Sequence, residues 1–167
     1  YGGASARPFT THHNSLDQSL YLRIADELYL KRLIIGGFEK VYEIAKNFRN
    51  EGMDRNHNPE YTSLEYYEAY ADVYSMMEFT EKLFKYVAEA TGEQCFEYSG
   101  NIIDLSQPFT KNSMFTLLQE YTNIDMSDMD VFALNKVAQS KSLELQKGIN
   151  YGQVLDKLFG ELVEPHL

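Results

Sequence analysis

Between residues 25 and 33 the apolar positions Leu28, Leu30 and Leu33 recur at helical spacing, and Gly36-Gly37 closes the pattern. A helix is predicted there. Before it, Leu20-Tyr21-Leu22-Arg23 has β character. Residues 2–17, rich in small and polar side chains, read as loop and short strand. After the glycine pair, residues 41–49 and 61–71 read as strands, the second dense in β-favouring aromatics. The polar stretch between them holds Gly52, Asp54, Asn56, Asn58 and Pro59 and predicts a loop. Together these segments predict a long antiparallel hairpin whose loop has the length of a functional one.

Asp72 is a candidate N-cap. From it runs an amphipathic pattern, with Met76, Phe79, Leu83 and Val87 on one stripe, ending at Gly92. That stripe reads as core packing. Residues 95–98 and 102–105, joined through Ser99-Gly100, predict a short hairpin. After Pro108 the texture changes to three short helical patterns, residues 113–121, 129–140 and 152–163. They read as a small helical subdomain, inserted or appended, with its boundary near residue 107.

Strand alternation adds a chemical statement. Tyr61, Ser63, Glu65 and Tyr67 share one face of the second hairpin strand; Glu43, Ala45, Asn47 and Arg49 share one face of the first. If the two faces coincide, one surface presents an arginine, several carboxylates and two tyrosine rings. Such a face either meets solvent or binds something, and alternation does not choose between these. Arginine grips phosphate or carboxylate with a planar two-pronged donor. Glu51 can orient that arginine or accept from an amine, His57 can donate to a phosphate, and Tyr61 can stack on a base. This is a nucleotide site by composition. It is neither a P-loop nor a GxGxxG loop, since neither pattern occurs.

Bulk numbers narrow the picture. The 167 residues suffice for one domain with a real core. Hydrophobic residues at 44% and charged residues at 24% are those of an ordinary globular protein. The net charge of −10 weighs against a stand-alone nucleic-acid-binding module. The 13 Tyr and 10 Phe read mostly as core and rim. Cys95 is the single cysteine; it fits a reducing, cytoplasmic setting and reads as a structural strand residue. No apolar run approaches the ~20 residues that span a bilayer. The chain starts at Tyr1 without Met and ends without a tail at Leu167, which reads as a piece cut from a longer protein.

Phe48-Arg49-Asn50-Glu51 resembles motif 2 of the class II aminoacyl-tRNA synthetases, the strand-loop-strand with which that family grips ATP. His57-Asn58-Pro59-Glu60-Tyr61-Thr62, followed by Glu65 and Tyr67, is similar to the lysine-specific branch. Upstream, Gly2-Gly3-Ala4-Ser5-Ala6-Arg7-Pro8-Phe9, Thr11-His12-His13-Asn14 and residues 21–33 fit as well. The resemblance is dense from residue 2 to about residue 81 and thins to texture after about 110.

The resemblance implies an α+β fold, an antiparallel sheet flanked by helices. Residues 1–106 would be a partial class II catalytic core and residues 107–167 a helical insertion-like subdomain. Arg49 would be the catalytic residue, contacting the α-phosphate of ATP and the amino-acid carboxylate. Glu51 would lie against the adenine amino group, His57 and Asn58 near the phosphates and adenine, and Tyr61 on the adenine face. Glu27 and Glu65 would bind the ammonium groups of lysine, with Tyr67 at the side-chain end. Gly3 would let its backbone approach the substrate. The implied reaction activates lysine to lysyl-adenylate and transfers it to tRNA(Lys). The implied cofactors are ATP as substrate and Mg²⁺, whose ligands fall outside this chain, so that the piece alone would be inactive. The implied assembly is a cytoplasmic homodimer. One departure stands out: the proline usual after Ala25 is Asp26 here, a first-turn acid acceptable to a helix start. His12 and His13 keep both a structural and a catalytic reading. Two other readings stay open: an aspartyl or asparaginyl relative, against which the two glutamates argue, and a paralogue that binds lysine or nucleotide without catalysis.

Overall fold

The computed structural model describes residues 3–55, 57–146 and 148–167. The expectations attached to Gly2 and Asn56 lie outside the described residues. The chain forms two compact units, Tyr1–Phe84 and Lys85–Leu167, divided within one helix. Among the described residues there are three two-stranded antiparallel sheets and five α-helices, with a closing 3-10 turn. The α+β class stands; the sheet is distributed over three separate hairpins.

In the first unit β1 (Thr10–His13) pairs with β2 (Gln18–Tyr21). The turn between them is tied by side chains. His12 Nε2 lies 3.2 Å from Asp17 Oδ1, and His13 Nδ1 lies 3.1 Å from the Ser15 hydroxyl and 3.3 Å from the Leu16 N–H. These contacts fix a tight turn in which Asp17 takes φ 47°, a conformation open to Asp through local hydrogen bonding. Both histidines therefore have structural partners. The strand expected at residues 20–23 begins two residues earlier, because its partner β1 sets the register.

Helix α1 (Glu27–Ile35) ends where Gly36 donates to the Arg32 carbonyl at 2.9 Å and Gly37 takes φ 101°. Strands β3 (Lys40–Phe48) and β4 (Glu60–Glu68) form the long hairpin. Their register sets Glu43 opposite Glu65, Ala45 opposite Ser63 and Asn47 opposite Tyr61. The two faces deduced from alternation thus coincide. The polar face is the covered one: Ala45 and Asn47 are buried, whereas Tyr42 and Ile44, on the other face, are 71% and 67% exposed.

Helix α2 (Val73–Thr91) starts with a reciprocal cap: Ser75 N–H donates to Asp72 Oδ1 at 2.8 Å, and Asp72 N–H donates to the Ser75 hydroxyl at 3.0 Å. The Ser75 N–H and the Ser75 hydroxyl, both donating to that carboxylate, hold the Asp72 carboxyl below its ordinary pKa. The first half of α2 packs on the outer face of β4. Tyr66 and Phe79 rings are 4.9 Å apart, and the Tyr66 hydroxyl meets Thr80 Oγ1 at 2.6 Å. The stripe expected to be core is only partly covered. Met76, Phe79 and Leu83 line an open apolar groove of about 540 Å³ with Ile44 and Leu64, and Val87 is half exposed. Two strands are too narrow to cover a five-turn helix.

In the second unit β5 (Cys95–Tyr98) and β6 (Asn101–Asp104) form the expected short hairpin. Cys95 lies on its strand as a free, exposed thiol, not packed as a small hydrophobe. Helices α3 (Met114–Thr122), α4 (Val131–Ser140) and α5 (Tyr151–Leu162) are capped by Ser113, Asp130 and Asn150. Leu118, Met126, Leu134, Val154, Leu158 and Val163 make their common core. The helical spacing read from the sequence therefore does bury its apolar stripes here.

Candidate functional site

The site is built on the inner face of the β3–β4 hairpin, against the segment that leads into α1. The hairpin is stitched by backbone bonds to that segment and to the stretch before β1: Phe48 N–H donates to the Arg23 carbonyl at 2.8 Å, and Asn50 N–H donates to the Arg7 carbonyl at 2.7 Å. Arg49 lies one residue past β3, where its N–H donates to the Pro59 carbonyl at 2.8 Å. Its Nε donates to the Ile24 carbonyl at 3.3 Å, and its guanidinium carbon stands 5.3 Å from the Tyr61 ring centroid. The arginine is thus held from two sides, with the planar end of its side chain over an aromatic face.

Four residues along β4 from Tyr61, roughly 13 Å at strand rise, lies Glu65. Each of its oxygens has one neutral donor. The Tyr67 hydroxyl donates to Oε2 at 3.0 Å and the Asp26 N–H donates to Oε1 at 3.3 Å. Glu65 is half-buried, and among the described residues no Lys, Arg or His pairs with it. Glu43, its register partner, is instead neutralised by Arg23 Nη1 at 2.7 Å. Glu27 completes this end. It pairs with Lys31 one turn on, and the Lys31 ammonium also stands 5.7 Å from the Tyr67 ring centroid.

Burial raises the Tyr67 pKa well above the tyrosine value of 10.0, with the hydrogen bond to Glu65 and the charges of Glu65, Glu27 and Asp26 adding to it. The phenol therefore stays a neutral donor. A folded pKa raised above the unfolded one gives stability that is full below pH 10 and is lost as pH rises further. Tyr67→Phe should accordingly cost about 1 kcal/mol at pH 8. The gap from wild type should shrink above pH ~10. Denaturant unfolding of both proteins at the two pH values checks this; a gap that widens with pH contradicts it.

Beneath the hairpin Asp26 and Asn47 are fully buried. Asn47 Nδ2 donates to Ser63 Oγ at 2.6 Å and to Asp26 Oδ2 at 3.3 Å. Sequence reasoning passed over Arg23, Asp26, Lys31 and Ser63 as site residues; the unexpected acid after Ala25 was the available signal. Gly3, with φ 88°, lies against Glu27: an added Cβ would stand 2.9 Å from Glu27 Cβ and 3.2 Å from Ala25 Cβ.

The structure thus brings Arg49 to Tyr61, and Gly3, Glu27, Glu65 and Tyr67 into one neighbourhood. Glu51, His57 and Asn58 fall on the exposed loop between β3 and β4. His57 is engaged there by Asp54, with Nδ1 2.9 Å from both carboxylate oxygens. An arginine at one end of a face and two carboxylates at the other, of which Glu65 has no cation among the described residues, suit a molecule that is anionic at one end and cationic at the other.

Known proteins are similar to this chain in sequence. The family model "tRNA synthetases class II (D, K and N)" matches residues 1–146. A lysine–tRNA ligase of Thermoanaerobacter sp. (strain X514) is 52% identical over 168 residues, covering 99% of this chain and 34% of the relative. Those of Clostridium novyi (strain NT) and Chloroflexus aurantiacus (strain ATCC 29366 / DSM 635 / J-10-fl) are 51% and 47% identical, covering 99% and 100% of this chain and 34% of each relative. The chain spans about a third of the length of these relatives. With the motif 2 hairpin in place and the match running over most of its length, this chain belongs to the class II tRNA synthetases of the D, K and N group.

Proposed function

We propose that this chain supplies the motif 2 part of a lysine–tRNA ligase, which activates lysine with ATP and transfers it to tRNA(Lys). The observation that carries this reading is the half-buried Glu65, held by two neutral donors and, among the described residues, paired with no cation. A carboxylate withdrawn from water without a counter-charge is costly, so a site built this way favours a cationic ligand. An aspartate or asparagine site would instead need donors for its side chain. The names of the relatives point the same way.

In this reading Arg49 brings the lysine carboxylate and the α-phosphate of ATP together and offsets the charge that develops between them. The carboxylate attacks phosphorus, pyrophosphate leaves, and the adenylate then loses its lysyl group to the terminal ribose hydroxyl of the tRNA. Tyr61 offers its ring to adenine, while Glu51, His57 and Asn58 reach nucleotide from the exposed loop. Glu27, Glu65 and Tyr67 receive the ammonium end, and Gly3 lets backbone approach the substrate. Residues 1–106 act as part of the catalytic core and residues 107–167 as an inserted helical subdomain. Among the described residues no three His, Cys, Asp or Glu side chains converge to hold a metal ion. Among them, too, no helix is long and apolar enough to cross a membrane. A cytoplasmic homodimer with the magnesium ligands elsewhere in the polypeptide completes the proposal. This chain by itself should show no aminoacylation; turnover by it alone would contradict that.

Gly3→Ala offers a local test in the full-length protein. The added Cβ meets Glu27 in a backbone conformation that alanine resists. Strain of about 1–3 kcal/mol is expected, relieved by pushing Glu27 aside. Lysine KM should rise at least ~5-fold with a smaller change for ATP, read by lysine-dependent ATP–pyrophosphate exchange. An unchanged lysine KM would remove Gly3 and Glu27 from the site.

A further inference from the structure

The two glutamates at the ammonium end are not alike. Glu65 meets two neutral donors, the Tyr67 hydroxyl and the Asp26 N–H. Glu27, in the first turn of α1, already holds a cation: Lys31 Nζ donates to its Oε1 from one turn on. A Glu–Lys pair at this spacing is common on helix surfaces, where it serves the helix alone. This one also reaches across to the hairpin. The same ammonium stands 5.7 Å from the Tyr67 ring centroid on β4, within cation–π range. The second Glu27 oxygen lies on the Gly3 side, 3.2 Å from where a Cβ on Gly3 would stand. The neighbouring cations turn to other partners, Arg23 to Glu43 at 2.7 Å and Arg32 to the Tyr29 ring, whose centroid is 5.5 Å from its guanidinium carbon. Lys31 therefore presents an ammonium to Glu27 and Tyr67, two of the groups that receive the substrate's ammonium end in the lysine reading.

We propose that Lys31 is an internal counter-ion that stands in for the substrate ammonium at Glu27 while the site is empty, and so sets how tightly lysine binds. This role rests on the lysine reading of the site. Carboxylates partly withdrawn from water are costly without a counter-charge. Lys31 lowers that cost in the empty site by neutralising one of the two acids. An arriving substrate ammonium then meets a carboxylate that is already paired. It either exchanges with Lys31 or shares Glu27 with it, and in the second case the two like charges repel. Binding thus gains the difference between two ammonium pairings and not the whole of one. The exchange is easy, because the Lys31 side chain is half exposed and its flexible stem can carry the ammonium back to water.

The consequence has an unusual sign: taking away a charged side chain of the site should tighten substrate binding. Lys31→Met keeps a flexible apolar stem and removes the charge. Glu27 then waits without its counter-ion, and the substrate ammonium gains the full pairing. Arg49, held by the Ile24 carbonyl and the Tyr61 ring, has no contact with Lys31, so ATP use should not follow. A Lys31 that merely supported α1 or propped Glu27 in place would give the opposite or no change in lysine use when removed.

The test uses the full-length protein, with KM for lysine and for ATP measured by lysine-dependent ATP–pyrophosphate exchange and folding followed by thermal melting. Lys31→Met should lower lysine KM about threefold and leave ATP KM within about 1.5-fold. Lys31→Gln should do the same, and it decides the matter if the methionine variant aggregates. Lys31→Arg keeps the charge and should bind lysine no more tightly than wild type. The gain should shrink as KCl rises from about 0.1 M to about 1 M, because the screening length falls from about 10 Å to about 3 Å. A fall in lysine KM of at least about twofold, confined to the uncharged variants and weakened by salt, supports the role. A smaller fall, a rise, an equal fall for ATP, the same fall in Lys31→Arg, or a gain that salt leaves untouched overturns it. A wild-type protein without lysine-dependent exchange overturns the lysine reading and this role with it, whereas an active wild type with unaffected variants overturns the role alone.

Discussion

Replacing Glu65 by glutamine in the full-length protein should raise the KM for lysine about 100-fold, while ATP KM moves less than about threefold. The magnitude follows from charge. An ammonium ~4 Å from a carboxylate at an effective dielectric of ~20 gains roughly 4 kcal/mol before desolvation. Glutamine keeps the shape and one acceptor oxygen, which can still take the Tyr67 hydrogen bond. It brings an NH₂ group to the place where the Asp26 N–H now donates, so two donors face each other. The lysine ammonium would then lose its counter-charge and meet a displaced side chain. In the proposed site ATP lies at the Arg49 end, roughly 13 Å along the strand, and should be little affected. Equal losses for lysine and ATP would mean that Glu65 only supports the hairpin.

Arg49→Ala should lower the rate of adenylate formation about 10³-fold. Arginine at this position presents a planar donor fork whose orientation is set by the Ile24 carbonyl and the Tyr61 ring. Such a fork can hold carboxylate and phosphate together while charge builds between them. Removing it takes away both the approximation of two anions and the offset of their repulsion. Arg49→Lys should recover little of the loss, because an ammonium lacks the fork and cannot lie flat on the tyrosine. Single-turnover formation of adenylate at saturating lysine and ATP separates this chemical effect from binding. A full recovery by lysine would show that only charge matters at residue 49.

The hairpin was legible because strand alternation has a period of two. Glu43, Ala45 and Asn47 had to share a face, as had Tyr61, Ser63 and Glu65, and only the register between the strands was missing. Which face would be covered was not legible. Local pattern marks Ile44 and Leu64 as apolar and Asn47 and Ser63 as polar, yet the polar pair lies inside. The reason is long-range: Asp26 and Arg23 arrive from a segment some twenty residues away, Asp26 accepting from Asn47 and Arg23 pairing with Glu43 on that polar face. Asp26 was readable as a helix-start acid because the rule for helix termini looks along the chain, not across it. The stripe on α2 failed as a core prediction for the same reason. Spacing says which side chains point together, but the two-stranded hairpin beneath is too narrow to bury them. In the helical part, where α3, α4 and α5 supply one another's neighbours, the same spacing argument succeeds.

The central claim is that Glu65, with Glu27 and Tyr67, selects a cationic amino acid for activation at Arg49. ATP–pyrophosphate exchange by the full-length protein, with lysine, aspartate and asparagine compared, tests it most directly. Exchange with lysine and none with the other two is the predicted result. Exchange driven by aspartate or asparagine, or lysine binding with no exchange at all, would contradict it.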